Sequence, residues 1–179
     1  GLANLIRYTS IHNRKTKKVK TMMAKSADQW FSEYGSSHKN PINKLIHWVC
    51  VPLIYLVIIG LLWSIPTPNI MQQIPYLNWG TVAVLLSIIF YIRLSLSLSV
   101  GLSLFAITCC WIISTLDHLL TIPIWQISLI GFVILWIFQF IGHHVEGKKP
   151  SFFKDIQFLL IGPAWLMGFI YRKLHIPYH

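Results

Sequence analysis

The chain has 179 residues, of which 55% are hydrophobic and only 11% charged, and it carries a formal net charge of +10 at pH 7. That length suits a single domain, but an ordinary soluble domain is about 25% charged, so there is too little polar material here to cover a water-facing surface. Composition therefore excludes a soluble globular protein. It points to an all-α integral membrane bundle, because backbone in lipid must satisfy its hydrogen bonds internally.

Residues 1–24 form a basic N-terminal extension. RKTKKVK, Arg14 to Lys20, has no apolar periodicity, and Met22 and Met23 offer a natural start to the protein. Its other reading is a tail that grips anionic headgroups, at about 1 kcal/mol per basic residue. Residues 25–179 read as one membrane domain. The basic residues follow the ends of apolar runs and are not spread over a surface, so nucleic acid is not an expected partner.

The domain opens with EYGSSHKNPINKLIHW, Glu33 to Trp48. Asn40 is a good N-cap, and Pro41 suits the first helical position. A helix from Pro41 puts Asn43 and His47 on one face, four residues apart. His38 lies two residues before the cap, free to fold over that face. Tyr34 and Trp48 fit an interfacial aromatic belt.

Hydrocarbon requires about 20 mostly apolar residues per helix. Leu45–Ile65, Leu77–Ile92, Leu96–Leu116 and Ile122–Ile141 predict four transmembrane helices. The first connection, SIPTPNIMQQIPYLN, is proline-rich. Arg93 marks the second turn and Asp117-His118 the third. Leu94 to Leu104 alternates like a strand, but an isolated strand in lipid leaves its amides unpaired, so it reads as helix. Phe158–Tyr171 is short and contains Gly162-Pro163, which predicts a C-terminal re-entrant or interfacial helix. Cys50, Cys109 and Cys110 lie in apolar runs, are odd in number and lack zinc spacing; they read as packing residues.

Lysine and arginine bias sets the orientation. With a cytoplasmic N-terminus, Arg93, Lys148, Lys149 and Lys154 all fall inside, and the two opposite loops hold no basic residue. The start of the first span and the end of the fourth then share one membrane face. The fourth span ends in QFIGHHVEGKKP. His38, His47, His143 and Glu146 are thus expected to converge at the cytoplasmic edge. Ionisable groups at membrane depth are costly and are usually paired or functional. Neutral imidazole is the commonest metal ligand. Two histidines and a carboxylate leave open positions on non-haem iron(II). Glu146 is expected as a ligand or as the partner that orients a ligating histidine. His144 points away from His143 on a helix and is not expected to ligate. Asn40 also reads as a simple cap, and Lys39, Lys148 and Lys149 as positive-inside anchors.

W-F-x-E-Y-G-x-x-H-x-N-x-x-N-x-x-I-H, running from Trp30 to His47 and followed by V-P-L-I, resembles the start of a family of small membrane proteins. That family was long catalogued as a domain of unknown function, and its fungal member is a 2-hydroxy fatty acid dioxygenase. F-I-G-H at Phe140–His143, then Glu146 and Lys149-Pro150, resembles its second block. FFKDIQFLLIGPAWL is similar to the tail of bacterial members. The resemblance implies Fe(II) as cofactor, with His38, His47 and His143 corresponding to the family's histidines. It implies oxidation of a 2-hydroxy fatty acid by O2, releasing CO2 and the acid one carbon shorter. Asn43, Lys39, Lys148 and Lys149 are expected to meet the substrate, and Tyr34 and Asn40 to support the ligands. The expected location is the bacterial inner membrane with the metal site on the cytoplasmic side. A non-enzymatic helical membrane scaffold or lipid-binding protein with structural histidines is the alternative reading.

Overall fold

The computed structural model describes residues 25–148 and 158–178; the basic extension, Lys149 and Lys154 lie outside the described residues. Among these, seven helices form and no strand. They are α1 (Ala27–Gly35), α2 (Pro41–Trp63), α3 (Asn69–Gln72), α4 (Trp79–Leu94), α5 (Leu96–Leu119), α6 (Ile124–Val145) and α7 (Ile161–Lys173).

Each long helix begins where the sequence supplies a cap or a proline. Asn40 accepts from the Ile42 amide and leads into Pro41 at the start of α2. Asn78 and Thr81 form a reciprocal capping box on α4. Ser95 is extended, ends α4 and caps α5 through the Leu98 amide, so one residue reverses the chain. Pro123 precedes α6. Of the alternating serines after Leu94, Ser95 is thus the break between two helices, whereas Ser97, Ser99 and Ser103 are helical, as expected for apolar chain in lipid. Ser99 and Thr108 return their hydroxyls to carbonyls three and four residues back.

Three helices are long and apolar enough to cross a membrane: α2 with 23 residues, α5 with 24 and α6 with 22. At about 1.5 Å per residue they exceed the roughly 30 Å of hydrocarbon. The 16-residue α4 is apolar but shorter. Outward faces carry Leu45, Leu86, Leu104, Trp111, Ile130 and Ile137, all exposed. Side chains of this kind fit lipid rather than water. Inside, one apolar cluster around Tyr91, Leu98, Leu102 and Trp165 fills the end near α7. A second, around Tyr55, Ile59, Ala106 and Ile113, fills the rest.

The α2–α6 pair positions the site. The two helices run antiparallel and meet along small residues, which let backbones approach closely. A Cβ on Gly60 would lie 2.1 Å from Ser128 Oγ, one on Gly131 3.1 Å from Val57, and one on Gly142 2.4 Å from Asn43 Oδ1.

The C-terminal segment is helical from Ile161 and almost wholly buried over its first six residues. Gly162 packs on Val51 and on the Tyr34 hydroxyl. At the other end, Tyr171 donates to Ser97 O at 2.8 Å and accepts from the Gly101 amide at 3.2 Å. Val51 and Ser97 both lie in the first half of helices that start at the same end of the bundle. These contacts therefore hold α7 in one half of the structure.

Gly60→Val is expected to destabilise the protein by about 1–3 kcal/mol through overpacking of the α2–α6 seam. The outward-facing Leu86→Val should have little effect. Thermal unfolding in detergent measures both, and equal melting temperatures would contradict the close seam.

Candidate metal centre

α1 ends at Gly35, and the chain turns over the start of α2 through Ser36–Asn40. That turn carries His38 inward, to 3% exposure. Its Nδ1 lies 2.6 Å from Tyr34 O, and its ring stacks on Tyr34 at 4.2 Å between centroids. Tyr34, expected in an interfacial belt, is buried instead. It also packs edge-on against Trp165. His47 lies on the inner face of α2, with Nδ1 2.9 Å from Asn43 O one turn back. His143 enters from the last turn of α6. All three are buried, and one ligand atom from each lies within 4.8 Å of the other two. Ring centroids are 4.1 Å apart for His38–His47, 5.3 Å for His47–His143 and 5.7 Å for His38–His143.

A carbonyl oxygen only accepts, so Nδ1 of His38 and of His47 must carry the proton. Nε2 of each then holds a lone pair. This is how ligating imidazoles are commonly fixed in tautomer and direction. Imidazole–metal bonds run about 2.0–2.1 Å, so nitrogens sharing an ion stand at most roughly 4.2 Å apart. The observed spread demands only a small closing movement. Three imidazoles converging in a buried setting thus fit a divalent transition metal, iron among them.

Glu146 does not join that group of three. It caps α6, and its carboxylate accepts from the Lys39 amide at 2.9 Å, the Asn40 amide at 2.8 Å and Asn43 Nδ2 at 3.1 Å. Desolvation raises its pKa, but these donors outweigh it and hold the carboxyl below its ordinary value of 4.5. Glu146 therefore ties the end of α6 to the start of α2, one residue from His38 and within the turn that carries His47. Lys148 adds a second tie, donating to Ser36 O at 2.7 Å. Lys39 contributes its amide here, and its side chain is exposed. Lys149 lies outside the described residues. Asn43 is fully buried and donates to Ser37 O at 3.1 Å as well as to Glu146. Asn40 is the α2 cap already described. His144 is exposed. Asp117 and His118 belong to the last turn of α5, not to a loop, at the opposite end of the bundle.

Two features of this region went unread in the sequence. α1 was signalled by Ser26-x-x-Gln29, whose side chains and backbone form a full capping box. Gln139, one turn before His143, is 5% exposed and lies within hydrogen-bonding reach of His47. A lone amide inside an apolar run was its only trace.

The sequence pattern of the Mpo1-like family, described as "2-hydroxy-palmitic acid dioxygenase Mpo1-like", matches residues 24–174. The chain belongs to that family. No match is found among curated proteins or among solved structures.

The folded pKa of Glu146 is lowered, so its ionised form favours the fold. That contribution is complete above about pH 4.5 and is lost as pH falls through the lower folded value. Glu146→Gln should melt below the wild type at neutral pH, with the gap closing in acid. A gap independent of pH would show that the carboxylate charge is not what joins α2 to α6.

Proposed function

We propose that the protein is an iron(II)-dependent membrane dioxygenase acting on 2-hydroxy fatty acids. The observation that carries the reading is the convergence of three buried imidazoles, two with Nδ1 held by backbone carbonyls, in a chain of this family. His38, His47 and His143 would hold the metal. Glu146 would act as a positioning residue, keeping the two ligand-bearing segments together. The family description supplies the substrate class and the oxidation; the site supplies no carboxylate or thiolate alternative among the described residues.

The balanced reaction converts R–CH(OH)–COOH and O2 to R–COOH, CO2 and water. The C1–C2 bond breaks, C1 leaves as CO2 and C2 becomes the new carboxyl carbon. Four electrons pass from the two carbons to O2. When bound, iron(II) supplies the redox chemistry and a template for the acid and O2. The protein's part is to hold the imidazoles in place, exclude bulk water and align the head group. Membrane placement suits the substrate: the acyl chain stays in hydrocarbon while its head reaches the border where the histidines lie. In this reading α2, α4, α5 and α6 span the bilayer, α7 stays on the cytoplasmic side, and Lys39, Lys148 and Lys149 give that face a positive potential for anionic heads.

Elemental analysis of the detergent-purified protein is expected to find about one iron per chain, consistent with a single three-histidine site. His38→Ala, His47→Ala and His143→Ala should each lose it, and should lose O2-dependent formation of the shortened acid by mass spectrometry. Wild-type protein without metal, destabilised by the same substitutions, would instead favour a scaffold with structural histidines.

A further inference from the structure

Beside His47 lies a small cavity of about 30 Å³, lined by Tyr34, Val51, Ile54, Trp136, Gln139 and Gly162 among others. One water needs roughly 10–15 Å³ of such space. The cavity therefore holds about two water-sized groups, enough for part of a polar head and far too little for an acyl chain. Its walls from Val51, Ile54, Phe158 and Leu159 are apolar. Gln139 breaks that apolar wall. Its side chain is 95% buried, and Nε2 has no hydrogen-bond partner among the described residues. A buried donor left unpaired costs about 1–3 kcal/mol, so one on a residue that lines a cavity beside three convergent imidazoles calls for an acceptor. The side chain also lies within hydrogen-bonding reach of His47, but its Nε2 donor is left over from that contact, and the three histidines bring their ligand atoms together without Gln139.

We propose that Gln139 binds substrate: its Nε2–H donates to a carboxylate oxygen of the 2-hydroxy acid seated in the cavity beside His47. The inference rests on the dioxygenase reading for the identity of the ligand, and on the unpaired amide and the cavity for its position. A carboxylate is the acceptor that best matches. It takes hydrogen bonds without needing to donate, and a bond to a charged acceptor is stronger than one to a neutral acceptor. The hydroxyl of the substrate carries its own proton and competes less well for a donor. Gln139 thus reads the charged end of the molecule, while chain length is left to the membrane-facing side.

The test compares wild type, Gln139→Leu and Gln139→Glu in detergent, each assayed for iron content, melting temperature and calorimetric binding of 2-hydroxypalmitic acid and its methyl ester. Gln139→Leu is expected to keep wild-type iron and melting temperature and to bind the acid about tenfold or more weakly. Its affinity for the ester should change little, so discrimination between acid and ester falls. Gln139→Glu should bind the acid more weakly still, through like-charge repulsion. Unchanged acid affinity in Gln139→Leu overturns the proposal, as does loss of iron in that variant, which would make Gln139 part of the metal site. Equal losses for acid and ester overturn it too, because a merely structural role would produce them. Wild-type protein that binds the acid through Gln139 but never consumes O2 would sink the dioxygenase reading and leave this contact standing. Turnover with Gln139→Leu binding unchanged would do the reverse. Wild-type protein that does not bind the acid overturns both.

Discussion

The site depends on how closely α2 and α6 approach. Gly142 has no side chain, and Asn43 Oδ1 occupies the space a Cβ would need. That contact sets the depth of Asn43, whose carbonyl holds His47 and whose amide reaches Glu146. His143 follows Gly142 directly, so one close approach fixes the register between two of the three imidazoles. The third, His38, is carried by the turn that Glu146 grips through two backbone amides. Backbone groups and small residues, rather than ion pairs, thus define the geometry. That is appropriate in a buried setting, where unpaired charge is expensive.

Tyr34 illustrates how the apolar and polar parts interlock. Its carbonyl receives His38 Nδ1, its ring stacks on the same histidine, and its hydroxyl end faces Gly162 of α7. α7 therefore does not merely fill space. By packing Trp165 near both Tyr34 and His38, it closes the side of the site that α6 leaves open. Tyr171 then pins the far end of α7 to α5. A short buried helix of this kind helps enclose the three histidines of a small bundle.

Much of this was legible in the sequence because lipid simplifies the rules. Apolar length located the long helices, although Asp117 and His118, expected at a turn, are still helical. The Asn40-Pro41 cap located the start of α2 and so the shared face of Asn43 and His47. Other features were not legible, for physical reasons. Tyr34 has the composition of a belt residue, and only the fold of α1 onto α7 reveals that it is covered. Glu146 lies three residues from His143, but the helix ends at Val145, and the carboxylate finds amides across the gap instead. Gln139 carries no periodic signal in a run where every neighbour is apolar. The conformation of such residues is decided by long-range partners, which spacing alone does not encode.

His38 and His47 are made early, whereas His143 arrives with the last of the long helices. During synthesis the first two rings must wait, half-assembled, while the chain through α6 is made. The three-histidine group therefore cannot assemble until the end of α6 has been made.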